Sequence, residues 1–236
     1  MQGYGQFCPI AKAAEIFCER WTALVIRNLA AGSERFSDIH RGVPHMSATL
    51  LTKRLRQLEA EQIVERRRAT TGKHWTYHLT ERGAEFVPLL ATLGTWGRRW
   101  SRRDLQAGEM DLGLLTWGLE HCVDPSAFGP GPVTVELTVT DQPKHKAQYW
   151  FVNSGGELDF CISHPGHEID MYLSATLADL IHVYRGDVSV GSAVENGQLE
   201  ALGPSRLVTK LKDWLNLGPL SEVPPATRGK NPDAFP

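Results

Sequence analysis

Cysteine is scarce in this chain of 236 residues, and its four cysteines form no Cys-x-x-Cys pair: Cys8, Cys18, Cys122 and Cys161. A disulfide framework and a zinc ribbon are therefore not predicted. The chain has no run of about 18 apolar residues and no charged-then-apolar segment at its start, which would indicate a membrane span or a secretory signal. These absences predict a cytoplasmic protein with reduced thiols and no membrane contact.

Sequence signatures of catalysis are also missing. The chain has no Gly-x-Ser-x-Gly elbow, and no glycine-rich phosphate loop precedes Lys73. His167-Glu168 is followed by Met171 where a zinc protease needs its second histidine. Cys161, His164 and His167 are possible zinc ligands in one loop, but no fourth ligand lies nearby in sequence. We therefore predict no enzyme activity, no cofactor and no metal site.

The formal net charge of −2 conceals two halves of opposite sign. Residues 1–104 hold 17 Lys and Arg against 10 Asp and Glu, whereas residues 105–236 hold 8 against 17. A basic half beside an acidic half is typical of a protein in which one domain binds a polyanion. The length predicts two domains, and the 42% hydrophobic content supports a packed core in each.

Residues 47–59 have the pattern of an amphipathic helix. Leu51, Leu55 and Leu58 recur at helical spacing and predict a buried stripe, and Ser47 stands where an N-cap belongs. The opposite side carries hydrogen-bonding and cationic side chains that can reach base edges and phosphates: Thr49, Lys53 and Arg56, flanked by Thr52 and Gln57. The alternative for this helix alone is a solvated surface helix.

The neighbouring segments favour DNA recognition over a solvated surface helix. A short apolar-faced helix over 36–43 and a turn at 44–46 precede the helix of residues 47–59, which together predict a helix-turn-helix. Two strand patterns, 63–70 and 74–79, follow with a turn at 71–73. A hairpin with three consecutive arginines can lie along a phosphate backbone as a wing. The sequence therefore predicts a winged helix-turn-helix domain.

These motifs resemble the HxlR-type winged-helix transcriptional regulators over about residues 7–101. The matching segments are Cys8-Pro9, Arg20-Trp21-Thr22, Arg35 to Ile39, Leu51 to Leu55, Val64-Glu65-Arg66, Tyr77 to Thr80 and Glu81-Arg82-Gly83. The resemblance implies a cytoplasmic homodimer that binds double-stranded operator DNA. It also implies the DNA-contacting residues: Ser47, Thr49, Thr52, Lys53 and Arg56 in the groove, and Arg67 and Lys73 on the wing.

Two further features concern Cys8 and the helix after the wing. Some members use a cysteine at the position of Cys8 as a redox sensor; the alternative is a small apolar residue at a helix start. The helix after the wing is predicted to begin near Thr80 and to kink at Pro88. Its wide apolar face predicts a dimer interface, with additional core as the alternative: Phe86, Leu89, Leu90, Leu93, Trp96 and Trp100.

The second half predicts an α+β domain. We place the DNA-binding domain at residues 1–104, a linker helix and loop at 105–130, the second domain at 131–217 and a disordered tail at 218–236. Strands are predicted over 133–139, 148–153, 157–163 and 198–202. Helices are predicted from an N-cap at Ser174, and over 204–216.

The order of motifs in residues 130–216 resembles the sterol carrier protein type two fold, a carrier of small apolar ligands. The matching segments are Leu173 to Thr176, Arg185-Gly186-Asp187, Glu195 to Leu199 and Leu202-Gly203-Pro204. The resemblance implies an apolar ligand pocket lined by Tyr149, Trp150, Phe151, Phe160, Tyr172, Leu177, Ile181 and Tyr184. The alternative is that these residues form the core.

Two functional hypotheses remain from the sequence. The first is a ligand-responsive transcriptional regulator in which the basic domain binds operator DNA and the acidic domain senses a small apolar molecule. The second is an apolar-ligand carrier or cryptic enzyme whose winged helix mediates protein interaction. A basic hairpin together with a cationic helix face favours the first, because a protein-binding module needs neither.

Overall fold

A computed structural model describes residues 3–69, 74–101, 105–123, 125–129, 131–215, 220 and 223–224. Lys73 and all of the predicted disordered tail except residues 220 and 223–224 lie outside this range. None of the helices in the described ranges has both the length and the apolar character needed to cross a membrane. Two separate hydrophobic clusters form, one among residues 25–64 and one among residues 115–215.

The first half folds as the predicted winged helix-turn-helix. Its elements in chain order are α1 (Pro9–Phe17), α2 (Thr22–Ala30), α3 (Phe36–Arg41), α4 (Ala48–Ala60), β1 (Val64–Arg68), β2 (Trp75–Leu79), α5 (Glu81–Ala84) and α6 (Val87–Trp100). Helices α3 and α4 form the helix-turn-helix, and the antiparallel pair β1–β2, from Val64 opposite Leu79 to Arg68 opposite Trp75, is the wing.

Helix α4 has the predicted cap and the predicted buried side. The backbone N–H of Leu50 donates to Ser47 Oγ at 3.2 Å, so Ser47 is the N-cap. Such a cap typically contributes about 1 kcal/mol. Leu51, Leu55 and Leu58 are almost completely buried in the N-terminal cluster. The stripe therefore fixes which side of α4 faces solvent.

The predicted helix after the wing is two helices instead of one kinked helix. Thr80 caps the short α5 by accepting from the N–H of Gly83 at 3.2 Å. Helix α6 begins anew at Val87, with Pro88 in its first turn, where a missing backbone N–H costs no hydrogen bond. The predicted kink at Pro88 is therefore wrong. Gly83 is required by packing, because a Cβ there would overlap the carbonyl oxygen of Ile63.

The second half is an α+β layer with one five-stranded sheet. Its elements are α7 (Leu112–Cys122), β3 (Pro132–Val139), β4 (Gln148–Ser154), β5 (Leu158–Cys161), β6 (Met171–Ala175), α8 (Leu177–Tyr184), α9 (Val190–Glu195), β7 (Glu200–Leu202), α10 (Ser205–Val208) and α11 (Leu211–Trp214). The sheet order is β5-β4-β3-β6-β7, antiparallel except for the parallel pair β3–β6. The α+β prediction is confirmed, whereas the sterol-carrier resemblance stays a prediction.

Two local predictions in this half are wrong. Ser174 lies inside β6, and the N-cap of α8 is Thr176, whose hydroxyl accepts from the N–H of Asp179 at 3.2 Å. Strand β6 was missed because its three inward residues, Met171, Leu173 and Ala175, alternate over only five positions. The predicted helix over 204–216 is two single turns, α10 and α11.

Candidate nucleic-acid interface

The solvent side of α4 carries the residues predicted to contact DNA. Thr49, Lys53 and Arg56 are exposed and Thr52 is half-buried; we call these four the reading face. Together with Gln57 and Ala60 they line an open hollow of about 560 Å³. An α-helix whose outer side bears cationic and hydroxyl groups matches the width and the polar edges of the major groove.

Arg54, the neighbour of Lys53, anchors α4 from the inside. Only 6% of Arg54 is exposed. Its guanidinium group donates to Glu19 Oε2 at 2.8 Å and to the carbonyl oxygen of Arg20 at 3.1 Å, and both acceptors lie between α1 and α2. Arg54 is a residue whose buried role the sequence prediction missed. The signal was available, because Arg54 lies between Leu51 and Leu58 on the apolar side.

The wing has two faces with different arginines, as the strand alternation predicts. Arg66 and Arg68 lie over the ring of Trp75, with the guanidinium carbons 4.1 Å and 5.6 Å from the ring centre. Arg67 lies on the other face and forms an ion pair with Glu65. The tip residue Lys73 is outside the described residues. Trp75 is 42% exposed, so its ring packs against the two arginines and contributes little to the core.

Helix α6 presents an apolar stripe to solvent. Leu89, Leu93, Trp96 and Trp100 are 57–61% exposed in the single chain. Phe86 and Leu90, which belong to the same predicted apolar face, instead pack against the N-terminal core. Four large apolar side chains on one side of a helix form a patch of the kind that a protein partner covers.

The candidate sensor Cys8 stands at the N-terminal end of α1. It is half-buried, its carbonyl oxygen accepts from the N–H of Lys12 at 3.1 Å, and Pro9 follows as the first helical residue. Its neighbour Phe7 is fully exposed at 99%. Cys18, just after α1, is exposed.

The eight residues of the predicted ligand pocket are divided between the two faces of the sheet. On the helix-covered face, the ring of Phe160 stacks on Tyr149 at 5.5 Å and contacts Phe151 edge-on at 5.1 Å between ring centres. Leu177 and Ile181 are buried in the same core, and Tyr184 packs against it. Trp150 and Tyr172 point to the opposite face, because strand residues alternate and both are in register with Glu136.

The eight residues therefore do not surround one cavity. In the described part of the second domain, a cavity of about 10 Å³ lies between α7, α8 and α11, and only Tyr184 of the eight lines it. A space of this size holds at most one water molecule. A larger ligand would require these helices to separate.

The loop after β5 is not arranged as a metal centre. Among the described residues, no group of three His, Cys, Asp or Glu side chains is placed to hold a metal ion. His164 contacts the ring of Trp150 edge-on at 5.6 Å, and its Nδ1 accepts from the N–H of Gly166 at 3.0 Å. Burial, and after it the negative charge of Asp159, raises the pKa of the Cys161 thiol.

Helix α7 joins the two halves. The indole N–H of Trp117 donates to Ser33 Oγ at 2.8 Å, across 84 residues of sequence. Arg41 of α3 forms an ion pair with Glu120. On α6, Arg98 donates to the carbonyl oxygen of Gly186 at 3.1 Å. No sequence pattern predicts these contacts, because the two residues of each pair are far apart along the chain.

Comparison with known proteins gives a family match for the first half. Residues 16–105 match the HxlR-like helix-turn-helix family. The chain is 36% identical over 97 residues to the uncharacterized HTH-type transcriptional regulator YvaP of Bacillus subtilis (strain 168), covering 40% of this chain and 90% of that protein. It is 33% identical over 91 residues to the HTH-type transcriptional regulator YodB of the same organism, covering 38% and 81%.

Two solved structures are each similar to part of this chain. The reduced form of YodB from B. subtilis is 31% identical, with a TM-score of 0.35 and coverage of 39% of this chain and 92% of that one. The redox regulator HypR in its oxidized form is 29% identical, with a TM-score of 0.38 and coverage of 42% and 100%. The family match ends at residue 105, so α7 and the whole second domain lie beyond it.

Proposed function

The chain belongs to the HxlR-like helix-turn-helix family, and we propose that it regulates transcription by binding operator DNA as a homodimer. In this proposal α4 enters the major groove, and the wing lies along the flanking phosphates. The observation that carries it is the outward cationic side of α4 beside the arginines of the wing, in the half of the chain with a balance of 17 basic to 10 acidic residues.

The reading face and the wing would make different kinds of contact. Lys53 and Arg56 reach from the middle of α4, where a helix in the groove meets base edges. Ser47, at the helix start, keeps its O–H free to donate to a phosphate while its oxygen accepts from Leu50. Arg66 and Arg68, on one face of the wing, would meet phosphates, which positions the protein without specifying sequence.

The exposed stripe of α6 supports the homodimer. Operator recognition by a helix-turn-helix usually pairs two half-sites, which requires a two-fold arrangement of two chains. Leu89, Leu93, Trp96 and Trp100 form one side of a helix and would pack against the same residues of a second copy. Phe17 stacks on Phe86 at 3.6 Å, which ties α1 to the start of this helix.

The second domain is proposed as the sensor of a small apolar molecule. Its helices cover one face of the sheet over a largely apolar core. The small cavity between α7, α8 and α11 has only apolar and Tyr184 side chains around it, so a ligand that opens it must itself be uncharged. This part of the proposal rests on the sterol-carrier resemblance and on the apolar side chains around this small cavity.

DNA binding is tested with the full chain and mixed genomic fragments at two salt concentrations. The affinity should fall steeply as salt rises, since each phosphate contact releases counterions. Sequencing of the retained fragments then identifies the operator. Absence of binding at low salt would remove the proposed function.

Ligand sensing is tested by thermal unfolding of the full chain with decanol, cholesterol and naphthalene. A ligand of the folded state at a hundredfold excess over its dissociation constant should add about 2.7 kcal/mol to the free energy of unfolding. It should also change operator affinity, because coupling between two sites is reciprocal. A ligand that stabilises without changing DNA affinity would indicate a carrier instead of a sensor.

A further inference from the structure

Helix α7 lies between the second domain and the DNA-binding domain and contacts both. Leu115, Leu119 and Val123 are buried in the cluster of the second domain. Trp117, on another side of the helix, is 4% exposed and faces the winged helix. The helix is therefore held on one side by the second domain and touches the DNA-binding domain on the other.

Trp117 is held at the DNA-binding domain by several independent contacts. Its indole N–H donates to Ser33 Oγ at 2.8 Å, and Ser33 itself is 1% exposed. His121, one turn later, stacks on the Trp117 ring at 4.9 Å, and its Nε2 lies 3.2 Å from the same Ser33 oxygen. The ion pair between Arg41 and Glu120 closes the contact at the surface.

The contact continues from Trp117 to the turn of the helix-turn-helix. The guanidinium carbon of Arg27 lies 4.8 Å from the centre of the Trp117 ring. The same guanidinium donates to the carbonyl oxygen of Gly42 at 2.7 Å and to Asn28 Oδ1 at 2.8 Å. Asn28 in turn donates to the carbonyl oxygen of Ile39 at 2.9 Å. Arg27 and Asn28 thus hold the last turn of α3, directly before the turn that leads to α4.

Gly42 shows how closely this last turn is packed. A Cβ at Gly42 would overlap the amide group of Asn28. On α7, Gly118 is packed about as closely, because a Cβ there would stand 2.5 Å from the hydroxyl oxygen of Tyr184 in α8. A displacement of α8 therefore has little slack before it displaces α7 and Trp117.

We propose that Trp117 and Arg27 are positioning residues for DNA recognition, through which the second domain sets the orientation of α3 and α4. Neither side chain touches DNA in this proposal, which rests on the proposed function for the DNA-binding step. The contact with the Trp117 ring orients the Arg27 guanidinium, and the guanidinium fixes the carbonyl of Gly42 at the end of α3. The second domain changes the affinity for DNA by keeping or releasing this contact between Trp117 and Arg27.

The test compares one tryptophan of α7 with one of the second domain. Trp117→Phe keeps an aromatic ring but removes the N–H that Ser33 accepts. Trp150→Phe is the matched control, because Trp150 is also nearly buried, at 5%, and its N–H also donates to one side chain, Glu136 Oε2 at 3.2 Å. Both variants should lose a similar amount of thermal stability. Only Trp117→Phe should weaken binding to the selected operator fragment, by about fivefold or more.

A double-mutant cycle separates positioning from general loss of packing. Ser33→Ala should weaken DNA binding like Trp117→Phe, and the double variant should be no weaker than either single one, since all three remove the same contact. Arg27→Lys keeps the charge but loses the forked donation to Gly42 and Asn28, so it should weaken DNA binding in the same way.

Amide hydrogen exchange of the DNA-free protein gives a readout that does not depend on DNA. Trp117→Phe should speed exchange in residues 36–46, whereas Trp150→Phe should leave these residues unchanged. Unchanged exchange in Trp117→Phe, or equal DNA affinities of the two tryptophan variants, would overturn the inference. If the wild-type chain bound no DNA, the proposed function would fall, and hydrogen exchange would still decide whether Trp117 positions α3.

Discussion

The guanidinium carbon of Arg66 lies 4.1 Å from the centre of the Trp75 ring, on the face of the wing opposite to Arg67. Stacking on an aromatic ring fixes a guanidinium group without using its N–H donors. Arg68 shares the same ring at 5.6 Å. The ring therefore holds two guanidinium groups in place, whereas the charge of Arg67 is partly offset by Glu65.

The wing face can be identified by single alanine variants. Arg66→Ala and Arg68→Ala should weaken operator and nonspecific DNA alike, and each should lower the salt slope by about one unit for one lost phosphate contact. Arg67→Ala should have a smaller effect, because Arg67 lies on the other face of the wing and its charge is already paired with that of Glu65. Titration at several salt concentrations measures the slopes. A larger effect of Arg67→Ala would assign DNA contact to its face.

Adjacent residues of α4 should behave in opposite ways. Lys53→Ala should leave thermal stability unchanged and lower DNA affinity, by about 1–3 kcal/mol if it reads a base. Arg54→Ala should instead lower the free energy of unfolding by about 1–3 kcal/mol, because it removes charge-assisted hydrogen bonds of a buried guanidinium. Thermal unfolding and DNA titration of both variants check this. Stability loss in Lys53→Ala would place the reading face elsewhere.

The apolar stripe of α6 should control assembly. Leu93→Glu and Trp96→Glu place a charge in the proposed interface and should shift the protein from dimer to monomer at micromolar concentration. Leu202→Glu is the control, because Leu202 is 68% exposed on β7 of the second domain. Sedimentation equilibrium gives the mass of each variant. A wild-type monomer, or a dimer unaffected by both α6 variants, would exclude this interface.

Cys8 can be tested as a redox sensor against its neighbour Cys18. If Cys8 senses oxidant, hydrogen peroxide should lower the DNA affinity of the wild-type chain, and a thiol reductant should restore it. Cys8→Ser should bind DNA normally and lose this response, whereas Cys18→Ser should keep it. A response that persists in Cys8→Ser would leave Cys8 as a small residue at the start of α1.

The thiol of Cys161 should react slowly below its raised pKa. Burial and the charge of Asp159 disfavour the thiolate, which is the reactive form. At about pH 8, iodoacetamide should modify exposed Cys18 before Cys161, and the difference should shrink as pH rises. Because folding raises the pKa of Cys161, the contribution of its protonated thiol to the free energy of unfolding is complete below the pKa of the unfolded chain. This contribution is lost as the pH rises through the folded pKa. Peptide mass spectrometry follows the modification, and faster labelling of Cys161 would contradict it.

The sequence by itself determined the elements whose signal is local. The leucine spacing of α4, the Ser47 cap and the alternation of the wing each depend on residues within about one or two helical turns or a short hairpin. The folded structure agrees with all three. These same local patterns identified the reading face, because the side of α4 opposite a buried stripe must face solvent.

Only the tertiary structure decided which residues act across the chain. The insertion of β6 beside β3, the division of the predicted pocket residues between two sheet faces and the contact of Trp117 with Ser33 all join segments far apart in sequence. Short strands and single polar contacts leave no periodic pattern, because their partners are chosen by packing in three dimensions. The link from the second domain to the turn before α4 is therefore visible only in the fold.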